Sequence, residues 1–383
     1  SYYLNNPSST TIKKTIALPP NTSYQQVYIK KIDPTPENIT QDQDGNWLAT
    51  YTLKPKQELN IELEEIIKLN FVPQKTNPKD LTRYLQPTQV WDFNSPQFQK
   101  INATEIKDPQ QIFNFTTSSL IYNYSLVNKD PLQRQTASFS LNHPTQAICT
   151  NFTDLFVALA RKNNIPAREI QGFAMSKNDK LKPISLSKDV LHAWPEYFNQ
   201  ETSTWTQVDP TWTNTTNGVD YFNKLDLNHI TFVIHGDSSV EPLPAGFYKN
   251  PEKTTKDISL EEIDPVNLPE PNIQVEVKQQ KGNTLVVGVT NLSGTAKLNI
   301  PPLSYQEIEV GLNSRPIIGK STKNVTLEIA GTKYNLPVSV KPILEFKTIV
   351  IISVLSLILL ILIIKKIKGT NSVFPVSIKT WYN

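Results

Sequence analysis

The sequence predicts a multidomain chain: an N-terminal β-sandwich, a central α+β domain, a second β-sandwich and a single C-terminal transmembrane helix. Three observations predict it. Short alternating apolar runs fill residues 11–70 and 273–343, the period of half-buried strands. Between these stretches the apolar spacing turns helical and then strand-like again. From Thr348 to Ile364 the chain reads TIVIISVLSLILLILII, seventeen residues without a charge. A length of 383 residues exceeds one compact core, and 9% aromatic content excludes a wholly disordered chain.

The first strands are expected at Thr15–Leu18, Gln25–Ile32, Trp47–Leu53 and Glu58–Ile67, with turns at Asp33-Pro34-Thr35-Pro36 and Asp44-Gly45-Asn46. Residues 1–75 are accordingly assigned to the N-terminal β-sandwich. After Asn77-Pro78, segments 80–86 and 107–127 read as helices. The second starts at Asp108-Pro109 and offers Phe113, Leu120, Ile121 and Tyr124 as its apolar face. Residues 263–272 form a stiff, Pro-rich linker. Beyond it, strands at Ile273–Val277, Leu285–Val289, Ile308–Val310, Val325–Ile329 and Leu336–Val340 make an Ig-like β-sandwich over 273–343.

Composition removes several function classes. With 29 Pro against 12 Gly, collagen is excluded, and a single Cys allows no internal disulfide, zinc ribbon or iron–sulfur site. No cofactor and no metal site is expected. The net charge of +3 is misleading, because Lys365, Lys366, Lys368 and Lys379 follow the apolar run with no acid among them. The remaining body is near neutral, without a basic stripe, and nucleic acid is not an expected partner.

As a helix, the uncharged run would span about 26 Å, slightly short of a hydrocarbon core near 30 Å. Snorkelling lysine stems extend it, so the transmembrane helix is placed at 347–366. The lysines behind it put the tail 367–383 in the cytoplasm and the body outside. An exported body needs a signal, and Ser1 has none before it; a processed chain or a fragment is expected.

The chemistry concentrates at 147–212. From Cys149 onward, Phe152, Leu155, Phe156 and Leu159 recur at helical spacing, and the helix should end near Asn163-Asn164. Cys149 therefore stands at the first turn of a buried helix, where the dipole favours thiolate and the free N–H groups can receive an oxyanion. Of the four histidines, His192 lies in a strand-like run, LHAWPEYF, and a second strand, WTQVDPT, carries Asp209. The intervening NQETST reads as a hairpin turn, and antiparallel pairing can bring His192 and Asp209 together. A thiolate nucleophile needs such an imidazole, and the imidazole an orienting acid.

These segments, AICTNFTDLFVALARKNNIPAREIQGFA, LHAWPEYF and WTQVDPTW, resemble the core of the transglutaminase-like superfamily, which is related to papain-type cysteine peptidases. The resemblance implies a papain-like α+β catalytic domain, extended over 76–262. It also implies Cys149 as nucleophile, His192 as general base and acid, and Asp209 as orienting carboxylate. Two departures stand out: Ala147 where the family commonly has Gly, and Asn163-Asn164 in place of a small residue and Gly before Ile165-Pro166.

The other conspicuous residues have plainer readings. Trp194, Trp205 and Phe198 are read as core, and Arg161 and Arg168 as structural ion-pair partners. His143 is a loop histidine with a minor substrate-side reading. Trp91 is an alternative indole donor to the oxyanion, although nothing around it matches that motif. Asp189 is the rival third acid. The sequon Asn151-Phe152-Thr153 is read as a chance match. The expected function is a membrane-anchored, extracytoplasmic cysteine enzyme acting on protein or peptide substrates through a thioester. Its acyl acceptor, an amine or water, is left open. The alternative is a noncatalytic surface scaffold that keeps the fold.

Overall fold

The computed structural model describes residues 1–78, 80–101, 106–126, 134–175, 190–224, 229–252, 257–312, 316–319, 321–344 and 346–369. They form two compact units, one of Ser1–Ile273 with Thr290–Tyr305 and one of Gln274–Val289 with Gln306–Asn383.

The first unit begins with six strands: β1 (Tyr2–Asn5), β2 (Ile12–Leu18), β3 (Gln25–Asp33), β4 (Asn38–Gln41), β5 (Trp47–Leu53) and β6 (Glu58–Leu69). They form two antiparallel three-stranded sheets, ordered β1-β6-β3 and β2-β5-β4. Alternation decides which residues go inside. In β5, Trp47, Ala49, Tyr51 and Leu53 are buried, while the residues between them are not. They share one core with Leu4, Ile16, Val27, Ile39 and Ile61 from the other five strands.

Two 3-10 turns, Thr82–Leu85 and Tyr124–Leu126, flank α1 (Pro96–Gln99) and α2 (Pro109–Ser119). Asp108 caps α2 as the sequence suggests, accepting the Gln111 N–H at 2.8 Å. The helix is shorter than expected, however, and buries Ile112, Phe113 and Thr116. Leu120 is already extended, and Ile121 is 60% exposed. The reason lies in the backbone beyond. The N–H groups of Ile121 and Asn123 donate to the carbonyls of Pro144 (2.8 Å) and Ala147 (2.7 Å), a pairing incompatible with helix.

Next come α3 (Ala137–Asn142), α4 (Cys149–Lys162), β7 (Ala167–Ala174), β8 (Val190–Asn199), β9 (Thr204–Gln207), α5 (Pro210–Thr215) and β10 (His229–His235). The strands make one antiparallel sheet in the order β10-β7-β8-β9, with α4 packed on β7 and β8. From Asn151 to Arg161 every residue of α4 is buried. At its C-terminus, Asn164 adopts φ +58°, the left-handed position after a helix where Gly is favoured and Asn is the next best occupant. Gly172 pairs in register with His192, and a Cβ there would stand 1.9 Å from the Ile230 carbonyl oxygen and 2.9 Å from the Trp194 ring. Only glycine fits.

Strand β10 is also held from the N-terminal strands. Gln25 exchanges two hydrogen bonds with the backbone of Thr231, both 2.9 Å. Asn46 does the same with Ile234, at 2.8 and 2.7 Å. Phe173, Phe232 and Ala245 lie in the same core as the N-terminal strands.

The remaining strands are β11 (Ile273–Lys281), β12 (Thr284–Asn291), β13 (Ser304–Gly311), β14 (Ser321–Ile329) and β15 (Thr332–Val340). They form a β11-β12-β13 sheet and a β14-β15 hairpin, whose turn residues Ala330 and Gly331 take φ +51° and +75°. Residues 259–272, which include the Pro-rich stretch, have no regular structure. The final helix, α6 (Phe346–Gly369), contains the apolar stretch Lys347–Lys365, long and apolar enough to cross a membrane. The rest of the tail, 370–383, lies outside the described residues.

Candidate active site

Cys149, the single cysteine, is the first residue of α4 and is half-buried. Ile148 at the N-cap has no side-chain acceptor, so Asn151 reaches back instead and accepts the Ile148 N–H at 2.9 Å. The other end of the Asn151 amide donates to Ser140 Oγ at 3.0 Å. This residue is 5% exposed and its amide nitrogen is engaged, so the Asn151 sequon is not a glycan site on the folded chain. The first N–H groups of α4, starting at Cys149, have no acceptor within the helix and carry its positive dipole end.

His192 projects from β8 and is 7% exposed. Its Nε2 donates to Asp209 Oδ2 at 2.7 Å, and Cys149 interacts electrostatically with the same ring. The carboxylate reaches it by a different route from the expected strand pairing. Strand β9 stops at Gln207, and Asp209 is the N-cap of α5, with Pro210 at the first helical position. Asp209 Oδ1 accepts the Trp212 N–H at 2.9 Å, which leaves Oδ2 to the imidazole. Capping and orienting are thus done by the two oxygens of one side chain.

The electrostatics follow from burial and charge together. Burial pulls the His192 pKa down, but the Asp209 carboxylate and Cys149 outweigh it and hold it at about 10. Burial likewise pushes the Asp209 carboxyl up, and His192, with help from His229, brings it down to about 2. The geometry favours a charged imidazolium–carboxylate pair at neutral pH.

Two neighbours were not foreseen. Tyr122, whose backbone bridges to Ala147, interacts electrostatically with Cys149 and Asp209; its phenol is pushed up by burial and then by Cys149. His229, at the start of β10, places Nε2 3.1 Å from the Asp209 Oδ2 already bound by His192. Its position on a strand paired with β7 depends on topology, and being one of four histidines was its only signal in the sequence. The ligand atoms of His192, Asp209 and His229 lie within 4.8 Å of one another. Here both Nε2 atoms hydrogen-bond to the one Asp209 oxygen, Oδ2.

Other candidates are placed elsewhere. Trp91 does not face Cys149 as an oxyanion donor: its indole N–H goes to Asp154 Oδ1 at 2.8 Å. Asp154 also pairs with Arg134 (2.5 Å), which reaches Glu169 (2.7 Å), forming a buried charge network beneath α4. Burial pushes the Asp154 carboxyl up, with Arg134 pulling against it. Arg168 is an ion-pair partner, of Glu196 at 2.6 Å. Among the described residues Arg161 pairs with no acid; its guanidinium donates to the carbonyls of Ala167, Gln86 and Gly236 and stacks on Trp91. His143 stays on the loop, stacked on Phe139 with centroids 4.1 Å apart. Trp194, Trp205 and Phe198 are buried, as expected of core residues. Asp189 lies outside the described residues.

Residues 95–210 match the family model of the Transglutaminase-like superfamily, and this part of the chain is a transglutaminase-like domain. Three solved structures are similar to the chain at low identity. A candidate cysteine protease of Cytophaga hutchinsonii is 14% identical, covering 62% of this chain and 86% of its own, with a TM-score of 0.36. The periplasmic domain of TgpA from Pseudomonas aeruginosa is 14% identical, covering 56% and 75%, with a TM-score of 0.28. Red sea bream transglutaminase is 12% identical, covering 79% and 75%, with a TM-score of 0.24. No curated protein sequence matches the chain.

Proposed function

We propose that this chain, with a transglutaminase-like domain over residues 95–210, is a cysteine acyltransferase or amidase that works through a Cys149 thioester. The observation that carries the reading is the buried His192 imidazole, bound through Nε2 to Asp209 and interacting with Cys149. The Cys149 thiolate attacks an amide carbonyl of a protein or peptide, and an S–C bond forms as the carbonyl becomes an oxyanion. N–H groups at the head of α4 receive that charge. His192, held as imidazolium by Asp209, gives its proton to the departing nitrogen as the C–N bond breaks. A Lys amine or water then attacks the thioester, His192 takes the incoming proton, and the thiolate leaves. An amine acceptor yields a cross-link; water yields hydrolysis.

The apolar stretch Lys347–Lys365 supports anchoring of the domain to a membrane. The lysines that follow it support an extracytoplasmic body and a cytoplasmic tail. Trapping the acyl-enzyme tests the chemistry. An activated ester or amide probe should add its acyl mass to wild type and nothing to Cys149→Ala. A wild-type chain that traps nothing, with a thiol indifferent to His192→Ala, would instead indicate the scaffold reading.

A further inference from the structure

We propose that His229 is a positioning residue for this same reaction: it donates to the same Asp209 oxygen as His192 and so fixes the orientation of the imidazole facing Cys149. The proposal rests on the reading of Cys149, His192 and Asp209 given above. Asp209 Oδ2 receives both Nε2–H groups, at 2.7 Å from His192 and 3.1 Å from His229, while Oδ1 is held by the Trp212 N–H at 2.9 Å. The two side chains are shut from solvent, at 1% exposure for His229 and none for Asp209. The His229 ring stands edge-on to Trp194, with centroids 4.9 Å apart, and tilted against Trp212 at 4.8 Å. Among the described residues, the titratable groups facing the cluster include His192 from β8, Asp209 at the head of α5, Cys149 at the head of α4, and Tyr122.

With Oδ1 tied to the Trp212 N–H, a carboxylate holding a single imidazole on Oδ2 can still rock about that contact and carry the imidazole with it. A second N–H donor removes this freedom. It also shares the carboxylate charge, so that His192 is held less tightly as imidazolium and gives up its proton to the leaving nitrogen more readily. A neutral donor suffices for both effects. A glutamine amide can supply an N–H near the same position, whereas a phenylalanine ring fills the space and supplies none.

The single cysteine makes alkylation an unambiguous readout that needs no substrate. The full chain in detergent micelles is reacted with iodoacetamide across pH and read by mass spectrometry, for wild type, His229→Phe, His229→Gln and His192→Ala. The upper inflection of the profile reports loss of the His192 proton. In His229→Phe it should move up by about 0.5–1 pH unit, the order expected for losing one N–H donor to a carboxylate, and in His229→Gln it should stay near wild type. A wild-type profile in His229→Phe overturns the proposal, and so does His229→Gln behaving like the Phe variant. A His192→Ala profile identical to wild type overturns the underlying reading instead. Should His229→Phe not fold, the wild-type chain carries the test. With 15N-labelled histidine, His229 should be protonated on Nε2 at neutral pH, and that signal should shift in Asp209→Asn. A His229 protonated on Nδ1 alone overturns the proposal.

Discussion

Nε2 of His192 and Oδ2 of Asp209 are 2.7 Å apart, and the carboxylate that makes this contact simultaneously caps α5. The acid that orients the imidazole is therefore fixed by a helix terminus, and its second oxygen cannot turn away without uncapping that helix.

Asp209→Asn keeps an oxygen and an amide in place but loses the charge. Asn and Asp are comparable N-caps, so the variant should fold. Thioester trapping should nevertheless slow by on the order of 10²- to 10⁴-fold, as in related triads. Asp189→Asn, run beside it, should trap at the wild-type rate. The reverse pattern would move the third role to Asp189.

The pH dependence of stability follows from the two shifts. His192 is raised in the folded state to about 10, above its ordinary value near 6.5. Its contribution is fully present below about pH 6.5 and is lost as pH rises through about 10. Asp209 is depressed to about 2, so its contribution is present above about pH 4 and lost as pH falls through about 2. The Tm difference between wild type and His192→Ala should therefore shrink steadily from pH 7 to pH 10. A constant difference over that range would contradict the ion pair.

Trp91→Phe separates structural from catalytic roles. Losing the indole N–H on buried Asp154 should destabilise the chain by about 1–3 kcal/mol in urea unfolding. Per folded molecule, thioester trapping should be unchanged. A rate loss on the order of 10²- to 10³-fold would return Trp91 to the oxyanion.

The full chain should remain with membranes after alkaline carbonate extraction, and a chain ending at residue 346 should not. Release of the full chain into the supernatant would count against a spanning role for Lys347–Lys365.

Much of the architecture was legible because it is local. Alternation in β5, the Asp108 cap and the helix opening at Cys149 depend on neighbours in sequence. The overlong α2 reading failed for a nonlocal reason: the carbonyls of Pro144 and Ala147 take up the backbone donors of Ile121 and Asn123. The ion-pair reading of Arg161 failed similarly, since two of the three backbone carbonyls that take up its guanidinium, those of Gln86 and Gly236, lie far along the chain. His192 and Asp209 could be paired from a hairpin, but not the means, because a strand and a cap place an acid equally well before Pro210. His229 was beyond reach, as nothing local tells that β10 lies beside β7.

The hydrogen bonds from Gln25 and Asn46 to β10 leave no seam at which the transglutaminase-like part can be lifted out. The strand they grip is the one that begins with His229. Trimming the chain to begin near residue 76 would uncover Phe173 and Phe232 and leave that strand unsupported. Recombination or engineering that transplants this site must carry the N-terminal sheets along as its foundation.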